Sequence, residues 1–259
     1  MPHHHLPATL IIIPTYNEAG NIEATVGSVL RALPEAHILV VDDGSPDFTG
    51  DIADRIAGED ERVFVLHRTE KKGLGAAYLA AFDWAHQHDY AIIGEFDADG
   101  SHPAEALPRM MAAFDSAARP ALVIGSRWVR GGSVVGWPRS REFLSRGGNV
   151  YSRLMLGLPV ADATAGFRLY RAEALRAIDL SSVDSRGYCF QVDLTLRFHD
   201  AGLPIVEIPI EFREREIGES KMSRSIVVEA MLRVTVWGVQ RFGRRLRGRP
   251  ATPRRAGAR

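Results

Sequence analysis

Two carboxylates separated by one residue give the clearest chemical signal in this chain of 259 residues. Asp97 and Asp99 follow an apolar segment with the composition of a buried strand, and both can face a hard cation such as Mg²⁺ or Mn²⁺. Such ions take oxygen ligands and fill their remaining positions with water and phosphate oxygens. An Asp-x-Asp sequence is also typical of a capped turn before a helix, so the surrounding residues must decide between the two interpretations.

Three polar loops follow apolar runs that have the length of strands. The strands are predicted at 9–13, 38–41 and 90–96, and the loops occupy 14–18, 42–47 and 97–102. A further strand at 63–66 and helices at 21–33, 49–57 and 75–86 alternate with them. This order predicts an α/β fold with a doubly wound, mostly parallel sheet flanked by helices. Ligands bind at the carboxyl edge of such sheets, so we expect the three loops to converge on one site.

The second half of the chain is less regular. Helices are predicted at 103–114, 142–156 and 171–178, and strands at 121–125 and 205–212. The Gly-rich stretch 127–137 is expected to be mobile. The segment 71–75 contains two glycines that would suit phosphate at a helix start, although a packing turn is the preferred interpretation.

Several motifs occur in an order that resembles a known enzyme family. Three segments resemble inverting family 2 glycosyltransferases with the Rossmann-like GT-A fold: Pro14-Thr15-Tyr16-Asn17-Glu18, Val41-Asp42-Asp43-Gly44-Ser45-Pro46-Asp47 and Asp97-Ala98-Asp99. Three more resemble the branch of dolichol-phosphate mannose synthases and their bacterial counterparts: Gly125-Ser126-Arg127, Gly166-Phe167-Arg168, and Phe212-Arg213-Glu214-Arg215 with Lys221-Met222-Ser223. The resemblance covers about residues 8–225 and implies a GT-A catalytic domain over 1–225.

The resemblance implies that the sheet edge binds GDP-mannose and a Mg²⁺ or Mn²⁺ ion. The guanine nucleoside is expected to contact Pro14, Tyr16, Glu18, Val41 and Asp43. Asp97 and Ala98 are expected to contact the nucleotide sugar, and Asp97 and Asp99 to bind the metal, with Asp99 as the principal ligand. Some relatives have Gln where this chain has Ser101, so direct coordination by Ser101 is not implied. Simple packing remains the alternative role for Tyr16.

Basic residues are expected to bind the anionic parts of both substrates. The resemblance assigns the diphosphate to Arg127, Arg215 and Lys221, and a lipid phosphate to Arg141 and Arg146. A solvated surface charge is the alternative for Arg141 and Arg146. The expected catalytic residues are therefore Asp99, Arg127 and Arg141.

The acceptor decides whether a general base is needed. A sugar hydroxyl must lose a proton to a base, whereas a phosphate monoester is mostly dianionic at pH 7. The resemblance therefore implies in-line transfer of mannose to a polyprenyl monophosphate with inversion and no covalent intermediate. A UDP-glucose-dependent sister enzyme, mannose transfer to a saccharide hydroxyl, and a nucleotide-sugar-binding module without turnover remain alternatives.

Charge and hydropathy indicate a membrane surface as a partner. The formal net charge is zero, yet from Arg241 onward there are eight arginines and no acidic residue. The segment 226–245 is predicted to be an amphipathic helix, either packed on the core or lying in a bilayer interface. The tail 246–259 is expected to be disordered and either to contact anionic lipid or only to aid solubility.

No uncharged apolar run reaches the ~18 residues of a membrane span. We therefore expect a peripheral enzyme on the cytoplasmic face of the membrane, docked directly or through an integral membrane partner, with no nucleic acid bound. Cys189 is the only cysteine, which excludes an internal disulfide and suggests a reducing compartment.

Overall fold

A seven-stranded sheet forms the centre of the protein. The computed structural model describes residues 8–183, 188–215 and 224–246, excluding the side chains of 188, 224–228 and 244–246. The strands are β1 Thr9–Thr15, β2 His37–Asp42, β3 Val63–His67, β4 Ile92–Glu95, β5 Leu122–Ser126, β6 Ser133–Val135, β7 Arg168–Arg171, β8 Ile205–Pro209 and β9 Glu211–Arg213. The helices are α1 Ile22–Ala32, α2 Thr49–Glu59, α3 Leu74–His86, α4 Leu107–Ala112, α5 Arg139–Leu156, α6 Ala172–Ala177, α7 Tyr188–Asp200 and α8 Arg224–Leu246.

The strand order in the main sheet is β3-β2-β1-β4-β7-β5-β8. The pairs β1–β2, β2–β3, β1–β4 and β5–β8 are parallel, whereas β7 lies antiparallel between β4 and β5. The predicted mostly parallel sheet flanked by helices is therefore confirmed. The antiparallel strand β7 was not predicted, because its four residues begin and end with arginine.

Helices cover both faces of the sheet, which explains why the central strands are continuously apolar. Leu10 and Ile12 of β1 pack on one face with α3, α7 and one residue of α8, Val234. Ile11 and Ile13 point to the other face and pack with α1, α2 and α4. All four β1 side chains are fully buried, and each such burial stabilises the fold by about 1.5–3 kcal/mol.

Two predicted elements are divided in the structure. The helix predicted at 103–114 is a short α4 between two 3₁₀ turns, Ala104–Ala106 and Ala113–Asp115. The strand predicted at 205–212 ends at Pro209, and the chain then enters β9, which pairs with β6 in a separate two-stranded sheet. Ile210 lies at the crossing, where its N–H donates to Ser126 and its carbonyl accepts from Ser133. The stretch expected to be mobile, 127–137, thus contains a strand.

The C-terminal helix α8 has one packed face and one exposed face. Trp237 packs against the core, and Tyr151 of α5 hydrogen-bonds Thr235 at 2.6 Å. Gly238 permits close approach, because an added Cβ would lie 2.9 Å from the Met155 carbonyl oxygen. The opposite face exposes Met231, Leu232, Val236, Val239 and Phe242. Packing on the core therefore accounts for the apolar residues on one face of α8, and the apolar residues on the outer face remain exposed.

The predicted tail 246–259 lies almost entirely outside the described residues. Within the described ranges, none of the helices combines the length and hydropathy needed to cross a membrane. Cys189 is buried on α7, and burial raises the pKa of its thiol to about 11, as suits a packing residue.

Candidate active site

A cavity of about 300 Å³ opens where the three polar loops meet. Ten of the predicted residues line it: Pro14, Tyr16, Glu18, Asp43, Asp97, Ala98, Asp99, Arg127, Arg141 and Arg215. Val41 does not, because its side chain is fully buried against α3, so any contact with a nucleoside is limited to its backbone. Lys221 lies outside the described residues. A second cavity of about 720 Å³, lined by Phe114, Arg119 and Arg171, contains none of the predicted residues.

Hydrogen bonds between the loops that follow β1 and β2 fix the end of the cavity where the nucleoside contacts are predicted. The N–H groups of Glu18 and Ala19 donate to Thr49 Oγ1 and Asp47 Oδ2 at 2.9 and 3.1 Å. Asp42 accepts from Thr15 Oγ1 at 3.0 Å, which ties the end of β1 to that of β2. These carboxylates hold the loops together and leave Asp43 to face the cavity.

Asp43 and Tyr16 each have a basic neighbour. Arg68 donates to Asp43 Oδ1 at 2.6 Å. Burial raises the pKa of Asp43 above its ordinary value, although the Arg68 guanidinium opposes the shift. Lys71 Nζ lies 3.5 Å from the centroid of the Tyr16 ring. This end of the cavity therefore offers a carboxylate and an aromatic ring with a cation at its face.

The carboxylate pair lies at the end of β4. Asp99 Oδ2 is 3.2 Å from Arg215 Nη2, and the Ser101 N–H donates to Asp99 Oδ1 at 3.1 Å. Burial raises the pKa of Asp97, and the adjacent charge of Asp99 adds to the effect. For Asp99, burial also raises the pKa, but hydrogen bonding from Ser101 and the charge of Arg215 act in the opposite direction, and the pKa is lowered. Asp99 is thus the more readily ionised of the two.

His102 orients Asp97. Its Nδ1 accepts from the Asp97 N–H at 3.1 Å, which leaves the proton of the neutral ring on Nε2, 3.5 Å from Asp97 Oδ2. Burial lowers the pKa of His102 despite the neighbouring carboxylates. The ring stacks on Phe167 with centroids 5.1 Å apart. A neutral, immobilised imidazole therefore holds one carboxylate in place.

The donor atoms of Asp97 and Asp99 fit a divalent cation that also binds substrate. One or two carboxylates, with water and phosphate oxygens, are the usual ligands of Mg²⁺ at such sites. The part of the chain that the structure describes contains no group of three or more His, Cys, Asp or Glu residues suited to a metal. The fit is therefore to an ion completed by phosphate, and not to an all-protein site.

Arg127 is bound to a buried carboxylate. Its Nε and Nη2 donate to Asp162 at 2.7 Å each, and Nη2 also donates to Thr164. Burial raises the pKa of Asp162, but the Arg127 charge and hydrogen bonds outweigh it, so the pKa is lowered. Asp162 thus offsets much of the positive charge that Arg127 brings to the cavity. Its predicted contact with the diphosphate stays a prediction.

Arg141 and Trp137 lie together in the wall of the cavity. Arg141 Nη1 donates to Glu214 at 2.5 Å, and its guanidinium carbon lies 4.0 Å from the centroid of the Trp137 ring. Among the described residues, Arg141 Nε and Trp137 Nε1 are buried donors without a hydrogen-bond partner. Arg146 instead pairs with Glu142, lies over Trp128 and does not line the cavity. Two unsatisfied N–H donors at one end of a cavity favour an anionic ligand.

Sequence reasoning missed several residues of this site: Arg68, His102, Trp137, Thr164 and Gln191. Lys71 and Gly73 line the cavity although a packing turn was preferred for their segment. His102 is the last residue of the polar loop that contains Asp97 and Asp99, so its position at the sheet edge is predictable from the sequence. Gln191 is not predictable in this way, because the mainly apolar helix α7 gives no helical pattern.

Comparison with known proteins reveals extensive similarity. The sequence profile of glycosyl transferase family 2 matches residues 10–179. The chain is 55% identical to the polyprenol monophosphomannose synthase of Mycolicibacterium smegmatis, covering 93% of this chain and 90% of that one. It is 54% identical to the undecaprenyl-phosphate mannosyltransferase of Micrococcus luteus, covering 93% and 98%.

Solved structures share the fold. Glucosyl-3-phosphoglycerate synthase from Mycobacterium tuberculosis, in complex with Mn²⁺ and UDP-glucose, superimposes with a TM-score of 0.64 at 18% identity, covering 92% of this chain and 79% of that one. At this identity the similarity is one of fold alone. The GT-A architecture expected from the motifs is thus confirmed.

Proposed function

This chain belongs to glycosyl transferase family 2, and from that membership we propose that it transfers mannose from GDP-mannose to a polyprenyl monophosphate. Two relatives more than half identical to it carry the names of polyprenyl-phosphate mannose synthases. The observation that carries the proposal is the cavity in which the carboxylate pair Asp97 and Asp99 meets Arg215 and Arg141. Such a site suits a donor diphosphate beside a second anion.

The proposal assigns the donor to the side of the cavity between β2 and β4. Tyr16 and Asp43 supply an aromatic face and a carboxylate for the guanine nucleoside. Asp97 and Asp99 would hold a divalent cation, Mg²⁺ or Mn²⁺, which when bound offsets the charge of the diphosphate. Mn²⁺ in a solved structure of the same fold supports this choice. Arg215, which pairs with Asp99, would add positive charge beside the diphosphate.

The proposal assigns the acceptor to the end of the cavity that contains Arg141 and Trp137. A hydroxyl acceptor would require a general base there, whereas a phosphate acceptor requires a cation such as arginine. Arg141 and Trp137 carry N–H groups that find no acceptor among the described residues and suit the oxygens of a phosphate. A lipid phosphate is mostly dianionic at neutral pH, so it attacks the anomeric carbon without giving up a proton. The protein's task is to bring two anions together and hold them in line, and the products are GDP and mannosyl phosphate of inverted configuration.

Part of the proposal is that the enzyme works at the membrane surface, on the cytoplasmic side. A polyprenyl chain stays in the bilayer, so the site must reach it. The helix α5 carries Arg141 near its start and exposes Phe143 and Leu154, with exposed fractions of 81% and 73%. With the apolar outer face of α8, these residues supply surface for an interfacial position. An integral membrane partner would serve the same purpose.

The test is product formation from labelled GDP-mannose, Mg²⁺ and a panel of polyprenyl phosphates, followed by organic extraction. We expect a mannolipid that is labile to mild acid, and no product from the corresponding free polyprenols. UDP-glucose, supplied in competition, is expected to be the poorer donor. Faster turnover of UDP-glucose, or transfer to saccharide hydroxyls in preference to lipid phosphate, would contradict the assignment.

A further inference from the structure

Gln191 of α7 lies at the wall of the cavity with a buried amide oxygen that has no partner within the part of the chain that the structure describes. The residue lines the cavity, yet only 2% of its surface is exposed. Its Nε2 donates to Glu95 Oε2 at 2.7 Å. Its Oε1 has no hydrogen-bond partner among the described residues. Buried polar atoms are nearly always hydrogen-bonded in native proteins, so this oxygen awaits a donor.

The surroundings of Glu95 fix which end of the amide faces the cavity. The Tyr170 hydroxyl donates a hydrogen bond to Glu95 Oε1 at 3.1 Å, and Gln191 Nε2 donates to the other carboxyl oxygen. When Glu95 is ionised its carboxylate only accepts, so reversing the amide would then set two oxygens against each other. The Gln191 main-chain carbonyl also accepts from Arg168 at 3.0 Å. The side chain is therefore tied to β4 and its backbone to β7.

The order of strands places Gln191 beyond the diphosphate position. Along the cavity edge, Asp43 follows β2, Pro14 lies at the end of β1 and Asp97 follows β4. On the proposed function, the nucleoside lies over β2 and β1 and the diphosphate at β4. An extended nucleotide sugar then continues over β7, where Gly166 leaves room beside Asp97: a Cβ added there would lie 3.5 Å from Asp97 Oδ2. Gln191 lines the same cavity, and its main chain is bonded to Arg168 of β7.

The hydrogen-bonding groups of the two substrates indicate which of them can bind Gln191 Oε1. An amide oxygen needs a donor, whereas an ionised diphosphate and a dianionic lipid phosphate present acceptors only. On this side of the diphosphate, the hydroxyls of the transferred sugar are the remaining donors. We propose that Gln191 Oε1 accepts a hydrogen bond from a hydroxyl of the donor sugar, which makes Gln191 a specificity-determining residue. This inference rests on the proposed function.

The first experiment compares wild type with Gln191→Met, which keeps the side-chain length and removes the amide. We expect kcat/KM for GDP-mannose to fall by about tenfold to a hundredfold, the effect of leaving a buried hydroxyl unpaired. The inhibition constant of GDP, which lacks the sugar, is expected to stay within about twofold, since only a sugar contact is lost. Cys189→Ala, a buried α7 residue outside the cavity, is the matched control and is expected to change neither constant.

The second experiment uses GDP-mannose analogues that each lack one hydroxyl. Wild type is expected to discriminate against one analogue by about tenfold or more, and Gln191→Met to treat that analogue and GDP-mannose alike. A merely structural role would lower both activities together and leave the ratio unchanged. A folded Gln191→Met enzyme with wild-type ratios for every analogue would overturn the inference.

A reciprocal exchange covers the case in which Gln191→Met does not fold. Glu95→Gln with Gln191→Glu keeps the buried hydrogen bond and returns an accepting oxygen to the cavity. This double variant is expected to retain discrimination against the same analogue, and its loss would count against the inference. Absence of any turnover of GDP-mannose by wild type would instead refute the proposed function, so the two failures are distinguishable.

Discussion

Arg215 Nη2 lies 3.2 Å from Asp99 Oδ2, so a residue predicted to bind diphosphate is paired with a residue predicted to bind metal. The guanidinium compensates the charge of this carboxylate. A cation held by Asp99 would compete with Arg215 for the same carboxylate, and Arg215 would then be available to an anion. The first prediction rests on this competition.

Asp99→Ala is expected to lower kcat by at least about a hundredfold, because the predicted principal metal ligand and the partner of Arg215 are lost together. Half-saturating Mn²⁺ in the presence of GDP is expected to rise in parallel, as measured by isothermal titration. Arg215→Ala separates the two effects: Mn²⁺ binding without nucleotide is expected to tighten, since a competing cation is gone. Asp83→Asn, an exposed α3 carboxylate, is the control, and full activity in Asp99→Ala would exclude the metal assignment.

Trp137→Phe removes one unsatisfied N–H and keeps the ring that packs against Arg141. We expect KM for the polyprenyl phosphate to rise about tenfold, the effect of one hydrogen bond to a charged group. KM for GDP-mannose should change little. Initial rates with each substrate varied in turn measure both constants. An unchanged KM for the lipid would show that the indole N–H does not contact the acceptor.

Asp162→Asn tests how much the buried ion pair between Arg127 and Asp162 contributes to the stability of the fold. Removing one member of a buried ion pair typically costs about 3–5 kcal/mol, because the other charge stays buried. Denaturant unfolding is expected to show a loss of this order in the free energy of unfolding. Asp60→Asn breaks the more exposed pair with Arg62 and is expected to cost less than about 1 kcal/mol. Equal losses in the two variants would contradict the structural role.

Glu95 predicts an unusual dependence of stability on pH. Burial raises the pKa of its carboxyl from 4.5 to about 7. Because the folded pKa exceeds the unfolded one, the folded state binds the extra proton between these values. The contribution of Glu95 to stability is then greatest below pH 4.5 and falls as pH rises to about 7.

The measurement is denaturant unfolding of wild type and Glu95→Gln across this pH window at constant ionic strength. The difference between their free energies of unfolding is expected to shift against wild type by about 3 kcal/mol as pH rises. Other titrating groups are common to both proteins and largely cancel. If the difference between the two free energies of unfolding stays constant with pH, the pKa of Glu95 is not raised by folding.

Much of the site was predictable from sequence because its residues follow strands with strong apolar signals. Asp43, Asp97 and Tyr16 belong to loops whose convergence follows from parallel strand order alone. Val41 shows the limit of motif transfer, since a residue inside a strand can belong to a motif and still be wholly buried. Arg127 shows another limit: its partner Asp162 is 35 residues away and gives no local signal.

The unpredicted parts share a physical cause. Strand β7 has four residues, too few for a reliable period, and α7 is buried on most sides, so it lacks an amphipathic stripe. Gln191, Glu95 and Arg168 meet only through these elements. Tertiary packing, and not local pattern, brings them together.

The insertion of β7 between β4 and β5 also orders the assembly of the molecule. Strands β1 to β4 and their helices are joined by short connections and span residues 9–95. The β4–β7 ladder, in contrast, pairs Glu95 with Arg168, a contact between distant parts of the chain. Contacts of large sequence separation form slowly. During synthesis, the part of the cavity around Tyr16 and Asp43 can therefore form early, whereas the part around Gln191 is completed only after α7 has emerged.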